Sequence, residues 1–196
     1  MSRAISRIQL TSSQLPKVES GMVFWITGLS GAGKTTLGRI LHERLRTVRG
    51  PGIVFLDGDL MREVLGATTA HSLEERKRLS QGYSRLCRML GNQGLDVVCC
   101  TVSMFHDVRA WNRANMDRYH EIYVRVPLTV LHARDQKGLY SSAASNGASQ
   151  LMGLNQTAEF PESPDLEVQN DGCRPPEAVV DEIWKAFFPQ PEEASS

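Results

Sequence analysis

Apolar positions along the chain fall into short runs separated by longer stretches of helical spacing. Residues 22–27 form an apolar run of strand length. From Thr35 to about Thr47 the spacing turns helical, with Leu37, Ile40, Leu41 and Leu45 on one side. Arg49-Gly50-Pro51-Gly52 breaks that helix, and residues 53–56 read as a second buried strand. A long helix is expected over 73–93, its apolar stripe made of Leu73, Leu79, Tyr83, Leu86, Cys87 and Leu90. Gly91 and Gly94 end it. Residues 96–102 are the third strand. Residues 107–120 look helical, with Val108, Trp111, Asn115 and Tyr119 on one side and Trp111 read as core. Residues 121–126 form a fourth strand, stopped by Pro127, and a short helix starts at Leu128. Residues 166–169 form a fifth strand. Pro175 and Pro176 open a last helix in which Val179, Val180, Ile183, Trp184 and Phe187 pack inward.

This alternation predicts an α/β fold, a five-stranded parallel sheet with helices on both faces. One domain is expected over 21–188, preceded by a flexible arm, 1–20, and followed by a loose tail, 189–196. No internal repeat appears. Residues 141–165 are rich in Ser, Ala, Asn, Gly and Pro, long for a passive connection and suited to a lid or substrate loop.

The stretch between the first strand and first helix carries the chemistry. Gly28-Leu29-Ser30-Gly31-Ala32-Gly33-Lys34-Thr35 fits G-x-x-x-x-G-K-[ST], the phosphate-binding P-loop, in its required strand–loop–helix setting. Its glycines let successive backbone N–H groups point inward, where with the helix N-terminus they hold a phosphate chain. Lys34 is expected to reach the outer phosphates and the Thr35 hydroxyl to bind Mg²⁺. The fold class thus narrows to a P-loop NTPase. Strand two ends in Leu56-Asp57-Gly58-Asp59, strand three in Ser103-Met104-Phe105-His106. Polar clusters at the carboxyl ends of parallel strands meet at the ligand crevice. Asp57 is placed to order Mg²⁺ water or to accept a proton from an attacking hydroxyl. Asp59 is placed either to cap the next helix or to serve the site. Arg62 lies one turn further on, and Arg76 is a charge on the apolar stripe between Leu73 and Leu79. Such a charge is costly unless paired or turned to a wet cleft. Arg134 and Lys137 would close over charge that develops during transfer.

Composition narrows the partners. The 196 residues balance to a formal charge of +0, so no bulk field favours nucleic acid or a membrane. The basic residues are mostly arginine, suited to bidentate binding of phosphate or sulfate. No apolar run approaches the roughly 20 residues of a membrane span, and residues 1–20 lack the apolar core of a signal peptide. Cys87, Cys99, Cys100 and Cys173 show no metal-ligand spacing, which suits a reduced cytoplasmic protein. Cys99 and Cys100, adjacent in a strand, are expected to face opposite ways.

Three segments together resemble the adenylylsulfate kinase family. They are Phe24-Trp25-Ile26-Thr27 running into Gly28–Thr36, Leu56-Asp57-Gly58-Asp59 with Arg62, and Arg134-Asp135-Gln136-Lys137-Gly138-Leu139-Tyr140. That family phosphorylates the ribose 3′-hydroxyl of adenosine 5′-phosphosulfate with MgATP. The resemblance implies ATP held by Gly28, Ser30, Gly31, Ala32, Gly33, Lys34, Thr35 and Thr36, with Arg134 in the lid and Mg²⁺ at Thr35 and Asp57. It implies catalysis by Asp57, Lys34 and Ser103. The acceptor would meet Asp57, Arg62, His71, Arg76, Ser103, Met104, Phe105, Lys137 and Leu151. A homodimer is left open.

The acceptor half departs from the family pattern. The phenylalanines that sandwich the acceptor adenine in the family are His71 and Leu151 here, and its asparagine is Leu79. The turn after strand three reads Ser103-Met104-Phe105-His106 in place of Ser-Pro-Phe/Tyr-Arg. The same chemistry on another nucleotide conjugate, such as a cytidine diphosphoramidate-type acceptor, is therefore an alternative. A non-catalytic nucleotide-binding regulator is a second; the acidic residue at Asp57 and the lid cations argue against it. A guanine-nucleotide switch lacks its Asn-Lys-x-Asp run.

Overall fold

Five parallel strands in the order β2-β3-β1-β4-β5 form the sheet. The computed structural model describes residues 19–67, 72–134 and 158–189. The strands are β1 (Val23–Thr27), β2 (Ile53–Asp57), β3 (Asp96–Thr101), β4 (Tyr119–Arg125) and β5 (Leu166–Gln169). The helices are α1 (Lys34–Arg49), α2 (Gly58–Val64), α3 (Leu73–Gly91), α4 (His106–Asn115), α5 (Leu128–Arg134) and α6 (Pro176–Phe187). Central β1 and β3 are buried along their whole lengths, which is why they read as continuous apolar runs.

Helices α1 and α6 pack together, and so do α3 and α4. The paired cysteines of β3 locate the two layers. The Cys99 thiol meets Cys87 of α3, whereas Cys100 Sγ donates to the Lys34 carbonyl of α1 at 3.3 Å. The expected opposite facing is thus observed. The Cys87 contact, and then burial, push the Cys99 thiol well up, and burial pushes Cys100 to about 12, so both behave as small apolar groups. Helix α1 rests directly on Cys100: a Cβ at Gly38 would lie 2.2 Å from its Sγ. Only glycine permits that approach.

Four expectations need correction. Leu73 is 42% exposed, and the buried line of α3 runs through Ser80, Tyr83, Ser84, Cys87 and Gly91. Serines were invisible to an apolar count, but their hydroxyls bond back along the helix and so tolerate burial. Tyr119 opens β4 instead of ending the fourth helix, because α4 stops at Asn115. Trp111 is only partly buried, with the Arg88 guanidinium 5.9 Å from its ring centre. Asp59 does not cap α2; Asp57 does.

On the α4 side, a charged cluster pins the segment before β5. Glu121 meets Arg109 at 3.3 Å and Arg113 at 3.1 Å, with Glu121 and Arg109 buried. Arg109 donates to the carbonyls of Glu159 and Phe160, and Arg113 to that of Ser163 and to Asp165. Burial pushes the Glu121 carboxyl up, against the pull of the two arginines.

Candidate active site

The P-loop leaves β1 and curls into α1. Gly33 sits at the α1 N-cap with φ 88°, in the left-handed region that favours glycine. A Cβ there would also lie 2.4 Å from Asn170 Nδ2. Lys34 Nζ donates to the Leu29 carbonyl at 2.8 Å, and Ala32 N to the same carbonyl at 3.2 Å. No side chain caps α1, and its first turn holds no acidic residue. Helix α3, by contrast, starts with a full capping box of Ser72 and Glu75. The first N–H groups of α1 therefore keep their partial positive charge for an anion.

Asn170, directly after β5, holds the loop from beneath. Its Nδ2 donates to the Ala32 carbonyl at 2.8 Å, and its own carbonyl accepts from Arg134 Nη2 at 2.8 Å. Arg134 is thereby fixed beside the P-loop. Reading by motif missed Asn170; an amide at the carboxyl end of a strand was the available signal.

Asp57 joins the loop to β2. Its Oδ2 accepts from Thr35 Oγ1 at 2.6 Å, and its Oδ1 accepts from the Asp59 and Leu60 amides at 2.9 and 3.4 Å. Capping aims the carboxylate at the P-loop. The Thr35 hydroxyl, having donated its proton, keeps oxygen lone pairs for a cation. One carboxylate beside one hydroxyl fits Mg²⁺, which commonly keeps waters and takes phosphate oxygens as further ligands.

Arg62, on α2, pairs with Asp59. Arg76, on α3, is half-buried, and its Nε is buried without a hydrogen-bond partner among the described residues. Burial, and then the nearby Arg62 charge, push the Arg76 guanidinium below its usual range. Arg62 and Arg76 thus act on each other as like charges, and of the two it is Arg62 that has a carboxylate partner.

Ser103 follows β3 with φ 21°, the one positive-φ non-glycine among the described residues. Its hydroxyl lies 2.8 Å from Ser80 Oγ and 2.9 Å from Thr101 Oγ1. Ser80 in turn donates to the Arg76 carbonyl at 2.9 Å. Thr27, the last residue of β1, donates to the Val102 carbonyl at 2.7 Å. A run of hydroxyls from Thr101 through Ser103 and Ser80 thus reaches the helical turn bearing Arg76, and Thr27 ties the root of the P-loop to the backbone of the same segment. The side chains of Met104 and Phe105 are in the core, and His106 contacts Arg109 and Glu159. Thr36 is exposed at the start of α1. His71, Lys137 and Leu151 lie outside the described residues, as does the part 141–157 of the expected lid or substrate loop 141–165.

Among the described residues no helix is long and apolar enough to cross a membrane. The family model of adenylylsulphate kinase matches residues 20–169. The cytidine diphosphoramidate kinase of Campylobacter jejuni is 36% identical over 152 residues, 78% of this chain and 87% of that protein. The adenylyl-sulfate kinase of Chloroflexus aurantiacus is 36% identical over 167 residues, 85% of this chain and 89% of that one. The structure of the Mycobacterium tuberculosis APS kinase with AMPPNP and APS is similar at a TM-score of 0.76 and 28% identity, over 86% of this chain and 98% of that one. A phosphate cradle on β1, joined to the strand order and to matches along most of the length, leads to one assignment: the chain belongs to the adenylylsulphate kinase family and is an ATP-dependent phosphotransferase.

Proposed function

We propose that the protein transfers the γ-phosphate of ATP to the ribose 3′-hydroxyl of a nucleotide 5′-conjugate, and that this acceptor is of the cytidine diphosphoramidate type in preference to adenosine 5′-phosphosulfate. The carrying observation is Arg76, a half-buried cation beside Arg62 with an unpartnered Nε among the described residues. Through Ser80 and Ser103 its helical turn is joined to the segment that follows β3, and an anionic 5′-group bound there would bring the ribose to the donor. On this reading ATP lies on Gly28–Thr36, with Arg134 at its outer side. Mg²⁺ is held by Thr35 and Asp57 and supplies charge neutralisation to the phosphates. Asp57 orients the acceptor hydroxyl and takes up its proton; Lys34 holds the outer phosphates. Ser103 holds the wall of the site. Reduced, buried Cys87, Cys99 and Cys100 support a cytoplasmic setting.

The base preference rests on the replacement of both family phenylalanines, by His71 and Leu151, together with the likeness to the Campylobacter jejuni enzyme. Stacking on an aromatic ring is worth about 1–3 kcal/mol per base. Without that pair the slot loses its grip on a purine. Competition at equal concentrations of adenylylsulfate and cytidine diphosphoramidate, with products resolved by mass, tests this. The cytidine product should dominate. A specificity constant for adenylylsulfate of about 10⁴ M⁻¹s⁻¹ or more, above that of its competitor, would make adenylylsulfate the acceptor. His71→Phe combined with Leu151→Phe should move preference toward adenylylsulfate.

A further inference from the structure

Buried polar atoms without a hydrogen-bond partner are rare, and each calls for a physical account. Among the described residues they are Trp25 Nε1, Arg76 Nε, Tyr83 Oη, Arg109 Nη1 and Asn112 Oδ1. Arg109 and Asn112 belong to the charged cluster around Glu121 and Tyr119, and Trp25 lies in the core. Arg76 and Tyr83 are different. They stand seven residues apart on α3, two helical turns, and so lie on one line along the helix. Ser80 lies between them on the same side, its hydroxyl already committed to the Arg76 carbonyl and to Ser103.

Tyr83 is 3% exposed, so its phenol cannot be satisfied by bulk water. It is near enough to Arg62 for that charge to act on it: burial pushes the phenol up, and Arg62 pulls it back. Arg62 also acts on Arg76. Arg76 and Tyr83 thus share one side of α3, the charge of Arg62 on α2 acts on both, and Cys99 of β3 also acts on the phenol. Retaining an unpaired phenol there is expensive for the fold, since phenylalanine would fill the same space without the desolvated hydroxyl.

We propose that the Tyr83 hydroxyl donates a hydrogen bond to the anionic 5′-group of the acceptor beside Arg76 and Arg62, and is a specificity-determining residue of the kinase. This rests on the reading of the protein as a nucleotide-conjugate kinase. Arg62 and Arg76 bring charge that any phosphoryl or sulfuryl conjugate satisfies. A neutral donor of fixed direction selects among such groups by geometry, because a mismatched acceptor leaves it unpaired.

The test is Tyr83→Phe, which removes one oxygen and keeps the ring. Steady-state kinetics are measured with MgATP and, in turn, cytidine diphosphoramidate and adenylylsulfate, alongside thermal unfolding. The KM of the better acceptor should rise by about tenfold or more, with the KM for ATP and the melting temperature unchanged or the latter slightly higher. An unchanged acceptor KM overturns the proposal. A lowered melting temperature with unchanged acceptor KM also overturns it, by giving the phenol an internal partner. Wild-type protein that binds ATP but phosphorylates neither acceptor would overturn the kinase reading and this proposal with it. A fully active wild type with an indifferent Tyr83→Phe overturns this proposal alone.

Discussion

Thr35 Oγ1 donates to Asp57 Oδ2 across 2.6 Å, tying the first turn of α1 to the end of β2. The other oxygen of Asp57 caps α2. One carboxylate thus serves both a loop that holds the phosphate donor and a helix that carries Arg62. Asp57→Asn keeps an oxygen for capping, and asparagine caps about as well as aspartate. We expect kcat to fall by about 10²–10⁴-fold, the usual worth of a positioned acid or base, with ATP affinity and melting temperature little changed. Loss of ATP binding at an unchanged saturating rate would leave Asp57 only its metal-holding and capping parts and remove its role toward the acceptor hydroxyl.

Lys34→Ala and Thr35→Ala should each abolish transfer while leaving circular dichroism and melting temperature near wild type. Lys34 supplies charge to the outer phosphates and Thr35 a cation ligand. Near-normal turnover in either variant would remove the P-loop from the donor site.

Asn170→Ala should raise the KM for ATP and spare that for the acceptor. It removes the donor to the Ala32 carbonyl under the P-loop, at a buried position. The loss of a buried hydrogen bond costs about 1–3 kcal/mol, part of which should appear as a lower melting temperature. Equal effects on both substrates would mean that Asn170 supports the fold at large.

Arg62→Ala and Arg76→Ala should act the other way, raising the acceptor KM and sparing ATP. Each charge-assisted contact is worth about 1.5–3 kcal/mol. Arg76→Met should not destabilise the apo protein, because it removes a partly buried cation whose Nε is unpaired among the described residues. Kinetics with each substrate varied in turn, set beside urea unfolding, will separate the two effects.

Glu121→Gln should destabilise the fold by about 3–5 kcal/mol, since it leaves Arg109 buried without its compensating charge. Urea denaturation measures this directly. A change within error would mean that the neighbouring carbonyls of Glu159 and Phe160 suffice for Arg109.

Much of this architecture was legible from residue spacing. The strands of a fully buried parallel sheet are short apolar runs, and the P-loop motif carries its own strand–loop–helix context. Asp57 followed from its place at the end of β2. What escaped is polar and long-range. Asn170 reaches the P-loop across 138 positions of sequence, and Ser103 reaches Ser80 across 23. No local period encodes such contacts. The burial of Ser80 and Ser84 hid the true inner line of α3, because hydropathy counts a serine as solvent-facing even when its hydroxyl bonds to its own helix. Tyr119 continues the helical spacing of α4, yet Met116 and Asp117 already turn the chain toward β4.

The strand order has a consequence for how such an enzyme diversifies. β1 stands in the middle, with β3 and β2 on one flank and β4 and β5 on the other. Asn170 and Arg134, which brace the phosphate cradle, come from the β5 flank; Asp57, Arg62, Arg76 and Tyr83 come from the β2–β3 flank. Each flank is a continuous piece of chain. Recombination that exchanges residues 53–101 between relatives would carry over Arg62, His71, Arg76 and Tyr83 as one block, with Asp57 as the hinge to the donor loop. The anion end of the acceptor site is then open to segment exchange as well as to gradual point substitution, while Leu151 and Lys137 stay with the host chain.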